Sequence, residues 1–176
     1  MVRLIRGGVP AMGGTWADLG AGTGNFTWAL AELLGPAATI YALDRDARAV
    51  AAQERRLRDE PPEGTVLPRQ ADVLRPIGLP PLDGILVANL LHFVRDQAGL
   101  LRRLRAALRP GGQLLVVEYE QALPIPWVPY PLPFARLASL AHEAGFQPLT
   151  QVGMRRSPSS GRVLYAAATT SLPSRL

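Results

Sequence analysis

Short apolar runs alternate along the chain with longer segments in which apolar residues recur every three or four positions. Residues 15–19 are the first run and read as a strand. Residues 24–35 put Phe26, Leu30, Leu33 and Leu34 on one face of a helix, and Gly35-Pro36 stops it. A second buried strand follows at 38–43 (ATIYAL), then an Ala- and Arg-rich helix at 46–58, stopped by Pro61-Pro62. Residues 65–70 form a third strand. The fourth, 83–88 (DGILVA), is almost wholly apolar and is expected at the centre of a sheet. Leu100, Leu101, Leu104 and Leu108 mark the inner face of a helix at 96–108. Arg109-Pro110-Gly111-Gly112 is expected to end it before a fifth strand at 113–118. Residues 121–133 hold five prolines and read as extended loop, because proline cannot donate to a ladder. A helix at 134–144 ends at Gly145. Two late strands, 146–152 and 162–169, are joined by the turn Ser157-Pro158-Ser159-Ser160-Gly161.

This order implies an α/β domain: a mostly parallel seven-stranded sheet with helices on both faces and an antiparallel strand from the late hairpin. Residues 1–14 read as a short N-terminal segment, 15–170 as the domain, and 171–176 as a loose tail.

Composition narrows the function classes. The chain has 176 residues, 48% of them hydrophobic, enough for one packed core. No apolar run reaches the roughly 20 residues of a membrane span, and the N-terminus lacks the apolar core of a signal peptide. Cysteine is absent, which excludes disulfides and thiolate metal sites and suits a cytoplasmic location. Two histidines far apart in sequence make a dedicated metal site unexpected. The net charge is +5, and every basic residue is arginine. The densest groups, Arg55, Arg56, Arg58 and Arg102, Arg103, Arg105, Arg109, fall on helices, where a solvated face is the plain reading. No interleaving with aromatics suggests an RNA-reading surface, so a nucleic-acid partner is not expected.

The chemistry concentrates at Gly20-Ala21-Gly22-Thr23-Gly24, at the carboxyl end of the first strand. Open α/β sheets bind ligands there. The dinucleotide fingerprint needs a small residue where this chain has Asn25. The nucleotide triphosphatase loop needs a lysine, and the chain has none.

Asp18-Leu19-Gly20-Ala21-Gly22-Thr23-Gly24 instead resembles the first motif of the class I S-adenosylmethionine-dependent methyltransferases. The resemblance continues in order. Asp44 ends the second strand, Asp72 follows the third, and Asp83-Gly84 opens the fourth. Asn89-Leu90-Leu91-His92 closes it, and Leu108-Arg109-Pro110-Gly111-Gly112 leads into the fifth. The wording is closest to the small-molecule branch that includes the ubiquinone/menaquinone-biosynthesis methyltransferase-like proteins. The resemblance implies a Rossmann-like fold, S-adenosylmethionine as cofactor and S-adenosylhomocysteine as product. It implies that Gly20, Ala21, Gly22 and Gly24 let the backbone approach the cofactor, with the helix N-terminus facing its carboxylate. Asp18 would help hold the ammonium. Asp44, followed by Arg45, would meet the ribose hydroxyls, Asp72 and Val73 the adenine, and Asn89 and Leu90 the methionine part.

Methyl transfer from a sulfonium is an in-line displacement that needs a base only when the acceptor must lose a proton. His92 is the candidate base. Glu118 and Tyr119 end the fifth strand at the same rim and could line the acceptor site, with Tyr119 the second catalytic candidate. Trp127 and Tyr130 could wall the acceptor. The [DNS]-P-P-[YFW] signature of nucleic-acid amino methyltransferases is not found at 89–92, so a small-molecule or lipid-like acceptor is expected. Relatives carry helices before the first strand that close over the cofactor. Here that lid is minimal, and the open site is expected either to take a bulky acceptor or to be closed by a homodimer or second subunit. The alternatives are an RNA or protein methyltransferase, a non-catalytic cofactor-binding module and, more distantly, a nicotinamide oxidoreductase.

Overall fold

The computed structural model describes residues 1–9, 12–157 and 160–172. α1 (Val2–Ile5) precedes β1 (Gly14–Leu19), α2 (Asn25–Leu34), β2 (Ala38–Asp44), α3 (Ala47–Asp59) and β3 (Thr65–Gln70). Then come β4 (Leu82–Ala88), α4 (Gln97–Ala107), β5 (Leu108–Tyr119), α5 (Phe134–Glu143), β6 (Thr150–Arg156) and β7 (Val163–Thr170). The sheet order is β3-β2-β1-β4-β5-β7-β6. β1 to β5 pair in parallel, and β7 runs antiparallel to both β5 and β6. The chain starts in the middle of the sheet, works outward to β3 and returns to β4. This reversal makes the carboxyl ends of β1 and β4 the topological switch point.

The two-residue period of the strands sorts the core. Ile85, Val87, Leu114 and Val116 face α4 and α5, while Leu86, Ala88, Leu115 and Val117 face α1 and α2. Ile85, Leu86 and Val87 have no exposed surface, as expected for a central strand covered on both faces.

Four expectations about the chain's course change. β5 starts at Leu108 rather than 113. The last residue of the apolar helical pattern is already extended, with ψ 142°, so the helix stops there without help from the Pro-Gly-Gly run. That run is absorbed as an irregularity inside the strand: the register jumps from Leu82↔Leu108 to Gly84↔Gln113, with Gly111 at φ 76°.

β6 runs over Thr150–Arg156 rather than 146–152. Gly145, at φ 87°, closes α5: its N–H donates to His142 O and the N–H of Phe146 to Ala141 O, both at 3.0 Å. Phe146 then makes one isolated bridge, to Ser171, and Pro148 brings no donor to a ladder. The turn after β6 lies partly outside the described residues, at Pro158 and Ser159.

The N-terminal segment is part of the packed body, since Leu4 and Ile5 of α1 are buried against the sheet. The tail is tied at its start: Ser171 is buried, with its hydroxyl on Arg109 O and its N–H on Gly112 O. Residues 173–176 of the expected tail lie outside the described residues. Among the described residues no helix is long and apolar enough to cross a membrane, and no cluster of acidic residues and histidines could hold a metal ion.

Candidate functional site

The turn after β1 reverses direction at alternate residues. Gly20, Gly22 and Gly24 have φ 76°, 55° and 89°, a region that side chains rarely enter. A Cβ on Gly24 would sit 2.7 Å from the Trp28 ring, whereas one on Gly22 would meet nothing within 4 Å. Gly22 therefore borders open space on the ligand side of the loop. The loop's own amides are mostly spent on acceptors of β2. Gly20 and Ala21 both donate to Leu43 O, Gly24 donates to Ala21 O, and Gly22 donates to Asp44 Oδ2 at 2.8 Å. The amides of Thr23, Asn25 and Phe26 are left over at the start of α2, where the helix dipole is positive. The glycines shape the cradle, and the helix start supplies its donors.

Asp18 and Asp44 serve the loop in different ways. Asp18 has no exposed surface. Its Oδ2 accepts from Thr27 Oγ1 at 2.7 Å, while its buried Oδ1 has no partner. Burial pushes its carboxyl up to about 7, opposed by the Thr27 hydrogen bond and helped by the nearby Asp44 charge. Asp44 accepts from Gly22 N and, at 2.9 Å, from Asp46 N. It is not the cap of α3; Asp46 is, accepting from Arg48 N. Asp44 links the end of β2 to the glycine loop. Gln53 of α3, fully buried, does the same from below, donating to Gly22 O at 2.6 Å. Sequence reading missed Gln53 and Thr27. Each is a single polar residue on an otherwise ordinary helix, and only packing shows what it faces.

Two clefts open at the strand ends. One, of about 220 Å³, is lined by Gly20, Asp44, Arg45, Asp72, Val73, Asn89 and Leu90, with Phe93 and Val94 at its edge. The other, of about 300 Å³, is lined by Asp18, Gly20, Ala21, Gly22, Thr23, Asn25, Phe26 and Asn89. Gly20 and Asn89 border both, so the clefts form one groove across the ends of β1 and β4. Asn89 holds the junction at φ 54°, outside the usual range for a residue with a side chain, and its buried Oδ1 has no partner. Leu90 packs over Gly20, where a Cβ would meet it at 3.1 Å. At the other end, Asp72 accepts from Leu74 N and pairs loosely with Arg75. The structure thus brings together ten of the eleven residues expected at the cofactor. Gly24, the eleventh, lies behind the loop against Trp28.

The candidate base is not an open rim residue. His92 is only 2% exposed, while its neighbours Leu90 and Phe93 line the groove. Its Nδ1 lies 2.6 Å from Glu118 Oε2, and its backbone N–H donates to Glu118 Oε1 at 3.2 Å. Glu118 is itself buried, so it holds the histidine rather than lining an acceptor site. With Nδ1–H facing the carboxylate, Nε2 is the nitrogen that carries a lone pair. The ring is flanked by Phe93, centroids 4.2 Å apart, and Tyr119, at 5.8 Å. Tyr130 N–H donates to His92 O at 2.9 Å, which ties the proline-rich loop to this histidine. Trp127 is not packed on the body; it is 53% exposed.

Residues 17–114 match the model of a methyltransferase domain family. The ubiquinone/menaquinone biosynthesis C-methyltransferase UbiE of Cellvibrio japonicus is 30% identical over 105 residues, covering 59% of this chain and 42% of that protein. The chain spans about half the length, or less, of the curated relatives it matches. Among solved structures, an S-adenosylmethionine-dependent methyltransferase from Aquifex aeolicus superposes with TM-score 0.72 at 17% identity, covering 92% of this chain and 84% of that one. The [4+2]-cyclase SpnF superposes with TM-score 0.75 at 14% identity, covering 97% and 78%. The fold therefore accommodates more than one chemistry, and the glycine loop, the acids at 18, 44 and 72 and the match over 17–114 decide the family. The chain belongs to the class I S-adenosylmethionine-dependent methyltransferases.

Proposed function

We propose that this protein methylates a small or lipid-like acceptor at an acidic carbon, using S-adenosylmethionine in the groove over β1 and β4 and His92 as the base. The observation that carries this reading is the buried His92–Glu118 pair, 2.6 Å apart, at the carboxyl ends of β4 and β5. The named curated relatives, which are C-methyltransferases, support a carbon acceptor.

The residues present fit the cofactor. An ammonium suits the Oδ1 of Asp18 and the Oδ1 of Asn89, both buried, without a partner among the described residues and bordering the same cleft. A carboxylate suits the leftover amides of Thr23, Asn25 and Phe26. Asp44 would receive ribose hydroxyls, with Arg45 beside it, and Asp72 and Val73 would border the adenine. S-adenosylmethionine, when bound, supplies a methyl group on a sulfonium whose leaving thioether is neutral and needs no acid.

The chain's own work is therefore positioning, exclusion of water and one proton transfer. Glu118 fixes the His92 ring and accepts from Nδ1–H. Nε2 would take the proton that the acceptor carbon loses, while the bound cofactor would supply the methyl group. The resulting imidazolium faces the Glu118 carboxylate, which stabilises it. Tyr119 borders the ring and orients the acceptor. α1 packs against α2, β6 and β7 on one face of the sheet, and Met1 before it borders the cleft at the glycine loop. A second copy of the chain closing the groove, in the cytoplasm, completes the proposal.

Calorimetry with S-adenosylmethionine, S-adenosylhomocysteine and NADH tests the cofactor. A labelled-methyl assay against carbon-acid and hydroxyl acceptors tests the chemistry. Binding of NADH in place of the first two would sink the reading. Label found only on oxygen would move the acceptor atom.

A further inference from the structure

The proline-rich segment is a built surface. Val128 N–H donates to Ile125 O at 2.9 Å and Ile125 N–H to Val128 O at 3.2 Å, which leaves Pro126 and Trp127 as the tip of a tight two-residue turn. Val128 and Leu132, each 1% exposed, root the loop in the body. Gln97 Nε2 donates to Tyr130 O at 2.8 Å and Tyr130 N–H to His92 O, fixing its return path. Apolar groups still point outward: Leu123 is 72% exposed, Trp127 53%, and Phe93, beside the loop, 54%.

Charge sorts around this tip. Residues 121–135 carry no charged side chain. Arg95 and Arg136 stand where the loop is anchored, both exposed, and neither has an ion-pair partner among the described residues. The acids nearby are engaged by backbone: Asp96 accepts from Gly99 N at 2.8 Å and Glu120 from Phe134 N at 3.1 Å.

We propose that this loop docks the protein on an anionic bilayer surface. Trp127 and Leu123 enter the interface, and Arg95 and Arg136 meet the phosphates of the lipid headgroups. An apolar tip with an indole at its apex, framed by arginines, has the chemistry of an interfacial anchor. Five prolines leave few N–H groups for a partner strand, and the two-residue turn breaks the run that a polyproline-binding module would need. The inference does not rest on methyl transfer: the same surface would dock a protein of any activity.

The test is co-sedimentation of the full chain with vesicles of phosphatidylglycerol and phosphatidylcholine, against phosphatidylcholine alone. Binding is expected only to the anionic vesicles, weakening about fivefold for each of R95Q and R136Q and at least tenfold for W127A. Brominated lipid should quench the tryptophan fluorescence of the wild type and not of W127F, since Trp16 is buried in the core and Trp28 is half-buried on α2 beneath the Arg56 guanidinium. An unchanged melting temperature for each variant separates docking from folding. Absence of binding to anionic vesicles at low salt overturns the proposal, as does quenching that survives in W127F. Self-association lost in W127A, without vesicle binding, would overturn it too and assign the tip to a second copy of the chain.

Discussion

The carboxylate of Glu118 engages His92 twice, through Nδ1 at 2.6 Å and through the backbone N–H at 3.2 Å. It therefore fixes both the ring and the turn that carries it. Replacing His92 by Gln should lower kcat by about 10²- to 10⁴-fold, the usual worth of a positioned base, with cofactor affinity held. Glu118→Gln keeps the shape but turns one acceptor into a donor that faces an N–H. It should cost about 1–3 kcal/mol of stability and lower kcat with little change in KM. Single-turnover methylation and thermal melting check both. Full activity in His92→Gln would remove the histidine from the mechanism.

Asp44 and Asp46 make a paired test. Asp44→Ala removes the acceptor of Gly22 N and the expected ribose partner together, so affinity for S-adenosylhomocysteine should fall about 10- to 100-fold. Asp46→Ala removes only the cap of α3 and should cost about 1 kcal/mol of stability, with affinity unchanged. Calorimetry and melting on both variants separate the roles. Equal affinity loss in the two would mean that Asp44 acts only through the fold.

Asp18 should make the ligand-free protein pH-sensitive. Its carboxyl is raised to about 7 in the folded state by burial, so the native chain holds a proton that the unfolded chain has released. Native protein thus binds more protons than unfolded protein between about pH 4 and pH 7, and stability should fall as pH rises through that window and level off above it. Asp18→Asn stays neutral and should flatten the dependence. Chemical denaturation from pH 4 to pH 8 measures it, and an identical slope in the variant would contradict the account.

Asp83 should act in the opposite sense, at the amino-terminal end of the central strand β4, away from the groove. Its carboxyl accepts from Thr15 N at 2.7 Å and pairs with Arg109, and these contacts, led by the Thr15 bond, hold its pKa below the usual value. Its stabilisation is present above about pH 4 and is lost as pH falls further. Asp83→Asn should remove that acid-side loss while leaving cofactor affinity alone, which melting below pH 5 would show.

Asn89 trades stability for position. Its φ of 54° costs a non-glycine residue about 1–2 kcal/mol. Asn89→Gly should recover part of that and weaken cofactor binding, because the buried amide at the junction of the two clefts is gone. A variant more stable and equally tight in binding would show the strain to be without function, and one less stable would show that there is no strain to relieve.

Sequence periodicity alone determined the layers of this protein. Alternating apolar strands and amphipathic helices permit little besides a parallel sheet covered on both faces, and the apolar run at 83–88 has no stable place but its centre. The cofactor end was legible for a related reason: G-x-G-x-G and acids at strand ends are local features whose geometry follows from the backbone around them. Boundaries set by long-range pairing were not. β5 takes in Pro110–Gly112 because Leu82 waits opposite Leu108, and β6 starts late because the cap at Gly145 and Pro148 hold the chain off the ladder. Only the tertiary structure decided that His92 is buried on Glu118, that Gln53 braces the glycine loop while Thr27 holds Asp18, and that Trp127 faces outward. Each of these depends on how separate elements pack against one another. Nothing in the local pattern encodes such packing, because it exists only once the sheet has brought the strand ends together.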